Sequence, residues 1–486
     1  MAEHLVLAVD QGTSSSKAVA FDLSGTVLAT SSVAIGHATP RPGWVEQDPD
    51  EILASVSTCL VELADQLDGP IAAVGLSSQR ESAVAWDAGT GMPLSPLLGW
   101  QDRRTAETAQ RLLGEAGDEI RKRTGLPLDP MFSALKLAWI LDQIDPDRRR
   151  ARNGEIRLGT VDAWLADRLT GEFRIEAGNA SRTQLMNLES LEWDDALLEL
   201  FDIPLATLPT IRRSDDPTPP IAPLVARGRE AGFSGILGDS HAALFGHGVR
   251  RPGTVKATYG TGSSIMGLTA LPVSGDSGLV HTLGWLTDRP ARAFEGNILS
   301  TGATLVWLAR LFGVSPGDLD QWARAVPDAG GVSLVPAFAG LGAPYWDASA
   351  QAVISGFDQG TAPAHLARAA FEAIIHQIED VVARADQVAG ERIGLLLADG
   401  GPSRNDWLMQ LQADNSGRVV SRPENSMLSV TGAAHMAGLS AGFWDDFAVA
   451  ALPTTRQEFV PGPASAGREA RRNTWARAVA RARMTT

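Results

Sequence analysis

Apolar and polar positions near the start of the chain predict a small sheet followed by a helix. Strands are predicted at 5–9, 17–22 and 27–32, because short apolar runs are separated there by turn residues, which together form a β-meander. Residues 48–67 show helical spacing after an Asp-Pro start, and the apolar run at 71–77 predicts a further strand. This mixture of strands and helices is typical of a layered α/β domain.

The second half of the chain begins in a similar way. After the segment GHGVRRPG at 246–253, a strand predicted at 254–258 ends in the turn Tyr259-Gly-Thr-Gly, much as the first strand ends in Asp10-Gln-Gly-Thr. The parallel suggests a duplicated architecture with domains at 1–248 and 249–486.

Three other segments have simpler interpretations. A long amphipathic helix is predicted from Pro363 to about Val388. The arginine-rich segment 467–484 favours the solvated face of a terminal helix, and the proline-rich segment 212–232 favours an exposed excursion.

Length and composition narrow the class of protein. A chain of 486 residues exceeds what one hydrophobic core usually organises, so two domains are expected. No apolar run reaches about 18 residues, the N-terminus lacks the basic region of a signal peptide, and Cys59 is the single cysteine, which together predict a cytoplasmic protein. The formal net charge of −15 disfavours a nucleic-acid partner, and we expect no membrane partner.

Turns rich in glycine and hydroxyl residues recur at 10–14, 259–263 and 399–403. Glycine lets the backbone approach a ligand, and successive N–H groups with hydroxyls form a nest for phosphate. A carboxylate beside such a nest would repel phosphate unless a cation lay between them, so Asp10 is predicted to be a direct or water-mediated Mg²⁺ ligand. Each turn alone could be a tight hairpin, but the recurrence weakens that alternative. Neither a P-loop nor a dinucleotide fingerprint occurs, so the nucleotide site must be of another kind.

Further motifs, running in order from Leu5 to about Pro463, resemble those of the FGGY carbohydrate kinases, and most closely the glycerol kinases. They are PGWVEQDP (42–49), SSQRES (77–82), WQDRRT (100–105), GTVDAWLADRLTG (159–171), NASRT (179–183), GDSHAALFGHG (238–248), ATYGTG (257–262), VPAFAGLGAPYWD (335–347) and LADGGPSRNDWLMQLQAD (397–414).

The resemblance implies two ribonuclease-H-like domains of the actin, Hsp70 and hexokinase type around an interdomain cleft that closes over ATP and a polyol. It implies that Asp239 is the general base for the terminal hydroxyl while Asp10 helps to hold the metal ion, and we expect the two carboxylates to face each other across the gap between the domains. Taken alone, Asp239 could instead be a helix cap, because Ser240 and the residues after it look like a first helical turn.

The resemblance also implies the nucleotide contacts. Phosphate contacts are expected at Thr13, Ser14, Lys17 and Thr261, and nucleotide contacts of the second domain at Gly302, Gly401 and Asn405. Lys17 stands where glycerol kinases commonly carry arginine, and Val306 stands where a glutamine is often found.

The polyol pocket is partly retained. Arg80, Glu81 and Trp100 match the residues that hold the hydroxyls and the carbon chain, together with Asp239. Three positions of the glycerol pocket differ, because Met131 replaces a tyrosine, Ser240 a glutamine and Ser264 a phenylalanine.

The smaller side chains predict a four- or five-carbon polyol or ketose as the favoured substrate, with glycerol as the alternative. His241 is expected to be a structural histidine, with a hydrogen bond to substrate or to Asp239 as the alternative.

Two other classes of protein remain open. An actin-like ATPase without a sugar substrate would not need the Arg80 and Glu81 pair, and a silent sugar sensor would be expected to lose Asp10 or Asp239. The resemblance further implies a homo-oligomer, a dimer or a tetramer.

Overall fold

A computed structural model of the chain describes residues 4–270, 277–389, 392–424, 427–452, 454–462 and 467–484. In the first half the strands are β1 (Leu5–Gln11), β2 (Ser15–Phe21), β3 (Val27–Ala34), β4 (Glu46–Gln47), β5 (Ile71–Ser78), β6 (Val84–Asp87), β7 (Leu97–Leu98), β8 (Ile156–Gly159), β9 (Arg174–Glu176), β10 (Thr210–Arg212) and β11 (Phe233–Gly238). The helices of this half are α1 (Pro49–Gln66), α2 (Ala106–Thr124), α3 (Ser133–Ile144), α4 (Arg149–Arg152), α5 (Val161–Thr170), α6 (Ala177–Ala180), α7 (Asp195–Leu200), α8 (Ala222–Val225) and α9 (Asp239–Gly246).

The second half continues the same alternation. Its strands are β12 (Thr254–Tyr259), β13 (Ser263–Leu268), β14 (Val280–Leu286), β15 (Pro290–Ile298), β16 (Ser333–Val335), β17 (Val353–Ser355), β18 (Leu395–Asp399), β19 (Val419–Pro423) and β20 (Arg456–Phe459). Its helices are α10 (Gly302–Phe312), α11 (Pro316–Arg324), α12 (Pro363–Ala389), α13 (Asp406–Ser416), α14 (Leu428–Ser440), α15 (Asp446–Ala451) and α16 (Arg468–Ala482). The predicted β-meander, the helix after it and the long helix near residue 363 are confirmed.

The chain divides into two compact units. The first contains Met1–Gly248, His281–Arg292 and Met427–Pro453, and the second contains Val249–Val280, Ala293–Ser426 and Thr454–Thr486. A single division after residue 248 therefore differs from the structure, because two later segments return to the first unit. The return of α14 has a physical cause: it is apolar around most of its circumference and buries Val430, Ala433 and Ala437 against β1, β2 and β5.

The main sheet of the first unit has the strand order β11-β5-β1-β2-β3. Strands β1, β5 and β11 run parallel, whereas β2 and β3 are antiparallel to their neighbours. Alternate residues of β1 serve the two faces, since Leu7 and Val9 pack in the cluster that contains α1, and Val6 and Ala8 pack in the cluster that contains α14.

The sheet of the second unit repeats this pattern. Strands β15, β13, β12, β18 and β19 follow one another in that order, with β12, β18 and β19 parallel and β13 antiparallel to both of its neighbours. Strand β20 pairs with β19 at one edge of this sheet. The repeated order confirms the predicted duplication and the α/β fold class of two ribonuclease-H-like sheets.

One expectation about exposure is wrong. The segment 212–232 is not a wholly exposed excursion, because Ile221, Leu224 and Ala231 are buried, the first two completely. Within the described residues, no helix is both long and apolar enough to cross a bilayer.

Candidate active site

Three parallel strands of the first unit end beside one another and carry the predicted carboxylates. In the sheet register Asp10 of β1 lies opposite Ser77 of β5, and Leu237 of β11 lies opposite the same serine, two residues before Asp239. Asp10 and Asp239 therefore lie at the same edge of one sheet. Because both carboxylates lie on one sheet of the first unit, the expectation that they face each other across the gap between the domains is wrong. The strand order that brings them together depends on a crossover that the sequence does not reveal. With β5 between them, β1 and β11 are separated by two strand spacings, about 10 Å.

Asp10 is held at this edge by Ser77, whose hydroxyl donates a hydrogen bond to Asp10 Oδ1 at 2.6 Å. Burial raises the pKa of Asp10 to about 6, and the charge of Asp239 also raises it, whereas the Ser77 bond and Lys17 lower it. Lys17 lies opposite Asp10 on β2. A divalent cation beside this carboxylate would offset its desolvation by favouring the charged form.

The donor set at Asp10 fits Mg²⁺. This ion usually keeps several waters and binds one or two carboxylates together with substrate phosphates. Among the described residues, no group of three or more His, Cys, Asp or Glu side chains could enclose a metal. The half-buried Asp10 carboxylate therefore fits an ion that is shared with phosphate and water, as the sequence predicts.

The first predicted phosphate loop is the turn 12–14 between β1 and β2. Gly12 N donates to Ser15 O at 2.9 Å, which closes the turn. Trp100 Nε1 lies 3.3 Å from Thr13 Oγ1 and donates a hydrogen bond to it, while Ser14 is exposed. The structure thus brings the predicted wall of the polyol pocket next to a predicted phosphate contact.

Asp239 is the first residue of α9, and Gly238 is the N-cap. Asp239 Oδ1 accepts a hydrogen bond from Arg80 Nε at 3.0 Å and one from Ser240 N at 2.6 Å. The carboxylate is 40% exposed whereas Arg80 is buried. Since both hydrogen bonds fall on Oδ1, Oδ2 is the oxygen that can accept a proton. Asp239 is therefore not the helix cap that its neighbours alone would indicate.

Glu81 is held by two arginines. Arg182 Nε donates to Glu81 Oε1 at 2.6 Å, and Arg80 Nη1 lies 3.8 Å from the same oxygen. Arg182 is fully buried and was not among the predicted site residues, although it lies in the NASRT motif. Glu81 has φ of 55°, a left-handed conformation that costs a residue with a Cβ about 1–2 kcal/mol. Such strain persists where the surrounding structure holds the residue in place.

Two other residues near the predicted polyol pocket have structural contacts. Met131 N donates to Asp129 Oδ1 at 2.8 Å, and the Met131 carbonyl accepts from Lys136 Nζ at 2.7 Å. His241 is fully buried, and its Nε2 lies 3.4 Å from Arg80 Nη1. His241 thus contacts Arg80, which itself bonds Asp239, and a direct hydrogen bond from His241 to substrate or to Asp239 stays a prediction.

In the second unit, three of the predicted nucleotide residues lie on adjoining turns. Ala303 N donates to Thr261 O at 3.0 Å, and Gly302 N donates to Gly260 O at 2.9 Å. A Cβ at Gly302 would lie 2.6 Å from Gly260 O and 3.6 Å from Pro402 Cγ, the residue after Gly401. Gly302 therefore allows its turn to approach the turn at Gly260 closely.

Asn405, a predicted nucleotide contact, has structural hydrogen-bond partners. Its amide nitrogen donates to Asp320 Oδ1 at 2.7 Å, and its oxygen accepts from Arg324 Nη2 at 3.0 Å and from Leu408 N at 3.1 Å as the N-cap of α13. Its side chain is thus already engaged in structural contacts. Val306 projects from α10 and is 61% exposed.

Ser264, predicted in the polyol pocket, lies on β13 and donates a hydrogen bond to Glu295 Oε1 at 2.8 Å.

The duplicated sheets and the paired carboxylates define a two-domain enzyme of the phosphotransfer class. The profile of the FGGY family of carbohydrate kinases, N-terminal domain, matches residues 5–246, and that of its C-terminal domain matches residues 255–441. The chain belongs to the FGGY family of carbohydrate kinases, as its motifs indicate.

Individual proteins agree with this assignment. The chain is 43% identical over 486 residues to a glycerol kinase of Citrifermentans bemidjiense, with 98% of each chain covered, and 44% identical over 490 residues to one of Aromatoleum aromaticum, also with 98% coverage. The crystal structure of Plasmodium falciparum glycerol kinase with ADP superposes with a TM-score of 0.93 at 28% identity and covers 100% of this chain and 99% of that one. A xylulose kinase of Lactobacillus acidophilus, 21% identical with a TM-score of 0.90 and coverage of 98% and 97%, shares the fold.

Proposed function

We propose that this kinase transfers the γ-phosphate of ATP to the terminal hydroxyl of glycerol. The observation that supports this proposal most directly is a group of side chains at one edge of the sheet, where Asp10 and Asp239 lie beside the Arg80–Glu81 pair. The names of relatives that are 43% and 44% identical over almost the whole chain support glycerol over larger polyols. The ADP in the crystal structure of the Plasmodium enzyme supports an adenine nucleotide as the phosphate donor.

The proposed chemistry uses Asp239 as the base. As the terminal hydroxyl oxygen forms its bond to the γ-phosphorus, its proton passes to Asp239 Oδ2, and the bond from phosphorus to the β-γ bridging oxygen breaks to release ADP. Arg80 holds the other oxygen of Asp239 at 3.0 Å, which orients Oδ2. Glu81 accepts a hydrogen bond from one polyol hydroxyl, and Trp100 covers the carbon chain.

In the first unit, Thr13, Ser14 and Lys17 would contact the phosphates of ATP. In the second unit, Thr261 would be a phosphate contact. In both turns the reason is that N–H and hydroxyl groups favour anions. Bound Mg²⁺ would neutralise the phosphate charge, with Asp10 as its protein ligand. Gly302 and Gly401 would let the nucleotide approach the backbone, whereas Asn405 would act through the position of α13.

A C4–C5 polyol or ketose is the second candidate. It is favoured by the side chains at Met131, Ser240 and Ser264, which differ from the glycerol pocket of the family. The hydroxyl of Ser264 already donates to Glu295 and so adds less new hydrogen-bonding capacity than its sequence position indicates. We therefore rank glycerol first.

A substrate panel separates the two candidates. ADP release with MgATP would be measured for glycerol, erythritol, threitol, the pentitols and xylulose, and kcat/KM compared. We expect glycerol to have the highest value. A pentitol or xylulose value more than tenfold above that of glycerol would establish the second candidate, and hydrolysis of ATP that no polyol stimulates would refute the kinase assignment. A homo-oligomeric state and a cytoplasmic location stay predictions.

A further inference from the structure

A lysine lies completely buried inside the first unit next to the predicted polyol residues. Lys136 is on α3 in the otherwise apolar stretch SALKLAWIL and has no exposed surface. Burying an ammonium group is costly unless each of its N–H groups finds an acceptor. The contacts of Lys136 should therefore reveal why it is tolerated there.

Three main-chain carbonyls accept hydrogen bonds from Lys136 Nζ. They belong to Glu81 at 2.6 Å, Met131 at 2.7 Å and Gly99 at 3.0 Å. An ammonium group has three donors and no acceptor, so this set satisfies it fully. Burial lowers the pKa of Lys136 to about 7, while the charges of Glu81, Asp102 and Asp129 raise it and that of Arg103 lowers it.

The three carbonyls lie on three separate segments of the chain, and each segment carries a predicted polyol residue. Glu81 follows β5, Gly99 precedes Trp100, and Met131 precedes α3. These residues are far apart in sequence, and the ammonium group of Lys136 bonds all three segments.

The bond to Glu81 has an additional consequence. Glu81 has the strained φ of 55°, and its carbonyl accepts the shortest of the three hydrogen bonds. Arg182 fixes the Glu81 carboxylate at 2.6 Å, while Lys136 fixes its peptide group. The direction in which the carboxylate points thus depends on both cations.

We propose that Lys136 is a positioning residue that sets the geometry of the polyol pocket by tying together the segments of Glu81, Trp100 and Met131. The proposal rests on the proposed function, because it concerns the polyol pocket of that kinase. The ammonium group of Lys136 bonds backbone oxygens of the segments that carry the predicted polyol residues, so its loss should weaken polyol binding more than nucleotide binding.

The test compares Lys136→Met with Arg148→Met. Arg148 is a control in the same unit: it is buried and donates to the main-chain oxygens of Asp202 at 3.0 Å and Asp145 at 3.2 Å, away from the predicted site residues. Unlike Lys136, it also pairs with the exposed carboxylates of Asp142 and Asp202. Both variants lose a buried cation and are expected to unfold at lower temperature. For Lys136→Met we expect the KM for the preferred polyol to rise at least tenfold, with the KM for MgATP within twofold of wild type. For Arg148→Met we expect both KM values within twofold.

Two further measurements keep the proposal testable if Lys136→Met does not fold. Lys136→Gln retains two donors and should raise the polyol KM by a smaller factor. In a crystal structure of the wild-type protein with its polyol, Lys136 Nζ should lie within about 3.2 Å of all three carbonyls. An unchanged polyol KM in a folded Lys136 variant, or a bound structure in which the ammonium has left Glu81 O, would overturn the positioning role. A wild-type protein without polyol kinase activity would instead refute the proposed function.

Discussion

Replacing Gly238 by alanine isolates the link between Arg80 and Asp239. Gly238 has φ of −68° and ψ of 150°, a conformation that alanine adopts without strain. An added Cβ would nevertheless lie 2.5 Å from Arg80 Cδ and 3.0 Å from Asn179 Oδ1. Since carbon atoms pack at about 3.5–4.0 Å, Arg80 would have to move by about 1 Å.

That displacement breaks the bond on which the orientation of Asp239 depends. The distance of 3.0 Å between Arg80 Nε and Asp239 Oδ1 would approach 4 Å, about 1 Å beyond the normal bond. A misplacement of about 1 Å costs on the order of 10²-fold in rate, which corresponds to about 2.7 kcal/mol of transition-state stabilisation. We therefore expect kcat/KM for glycerol to fall about 100-fold in Gly238→Ala.

The assay is steady-state ADP release together with thermal unfolding of each variant. Gly114→Ala is the control, because an added Cβ on this exposed position of α2 meets no atom within 4 Å. It should stabilise the protein by about 0.5–1 kcal/mol and leave kcat/KM within twofold. The reasoning is refuted if Gly238→Ala is folded and keeps kcat/KM within threefold of wild type.

Other perturbations test separate parts of the account. Ser77→Ala removes the hydrogen bond to Asp10 Oδ1, so the Mg²⁺ concentration for half-maximal activity should rise about 10- to 100-fold; an unchanged magnesium titration would contradict the metal site. Gly432→Ala places a methyl group against the Ala242 carbonyl between α14 and α9, which should lower the free energy of unfolding by about 1–3 kcal/mol or more in denaturant titrations. Burial and the charges of Arg472 and Arg471 lower the pKa of His376 in the folded protein to about 3. As the pH falls, this histidine is therefore protonated in the unfolded chain before it is protonated in the folded one, and stability is lost below about pH 6.5. Between pH 7.5 and 5 this loss is about 2 kcal/mol, and His376→Gln should remove it whereas His37→Gln, at an exposed position, should not.

The local order of the fold could be predicted from the sequence. Turn residues between short apolar runs mark the meander of β1–β3, and the recurrence of a strand with a glycine-rich turn marks the duplication. The return of α14 to the first unit could not be predicted, because its apolar surface does not indicate which of the two sheets it covers.

The site could be predicted only as a set of residues. The motifs identify Asp10, Arg80, Glu81 and Asp239, but the strand order that sets Asp10 and Asp239 on one sheet depends on pairings between distant segments. Arg182 and Lys136 were missed for a similar reason, since the sequence does not show which groups a buried cation contacts. For Lys136 a signal existed: the chain has only four lysines, and this one interrupts the buried face of α3.

The proposed kinase mechanism depends most directly on Asp239 as the base that accepts the proton of the substrate hydroxyl. The measurement is kcat of Asp239→Asn for the preferred polyol, with polyol and nucleotide affinities determined by calorimetry on the same preparation. In Asp239→Asn we expect kcat to fall about 10²- to 10⁴-fold while both ligands still bind. A folded variant with kcat within tenfold of wild type would contradict it.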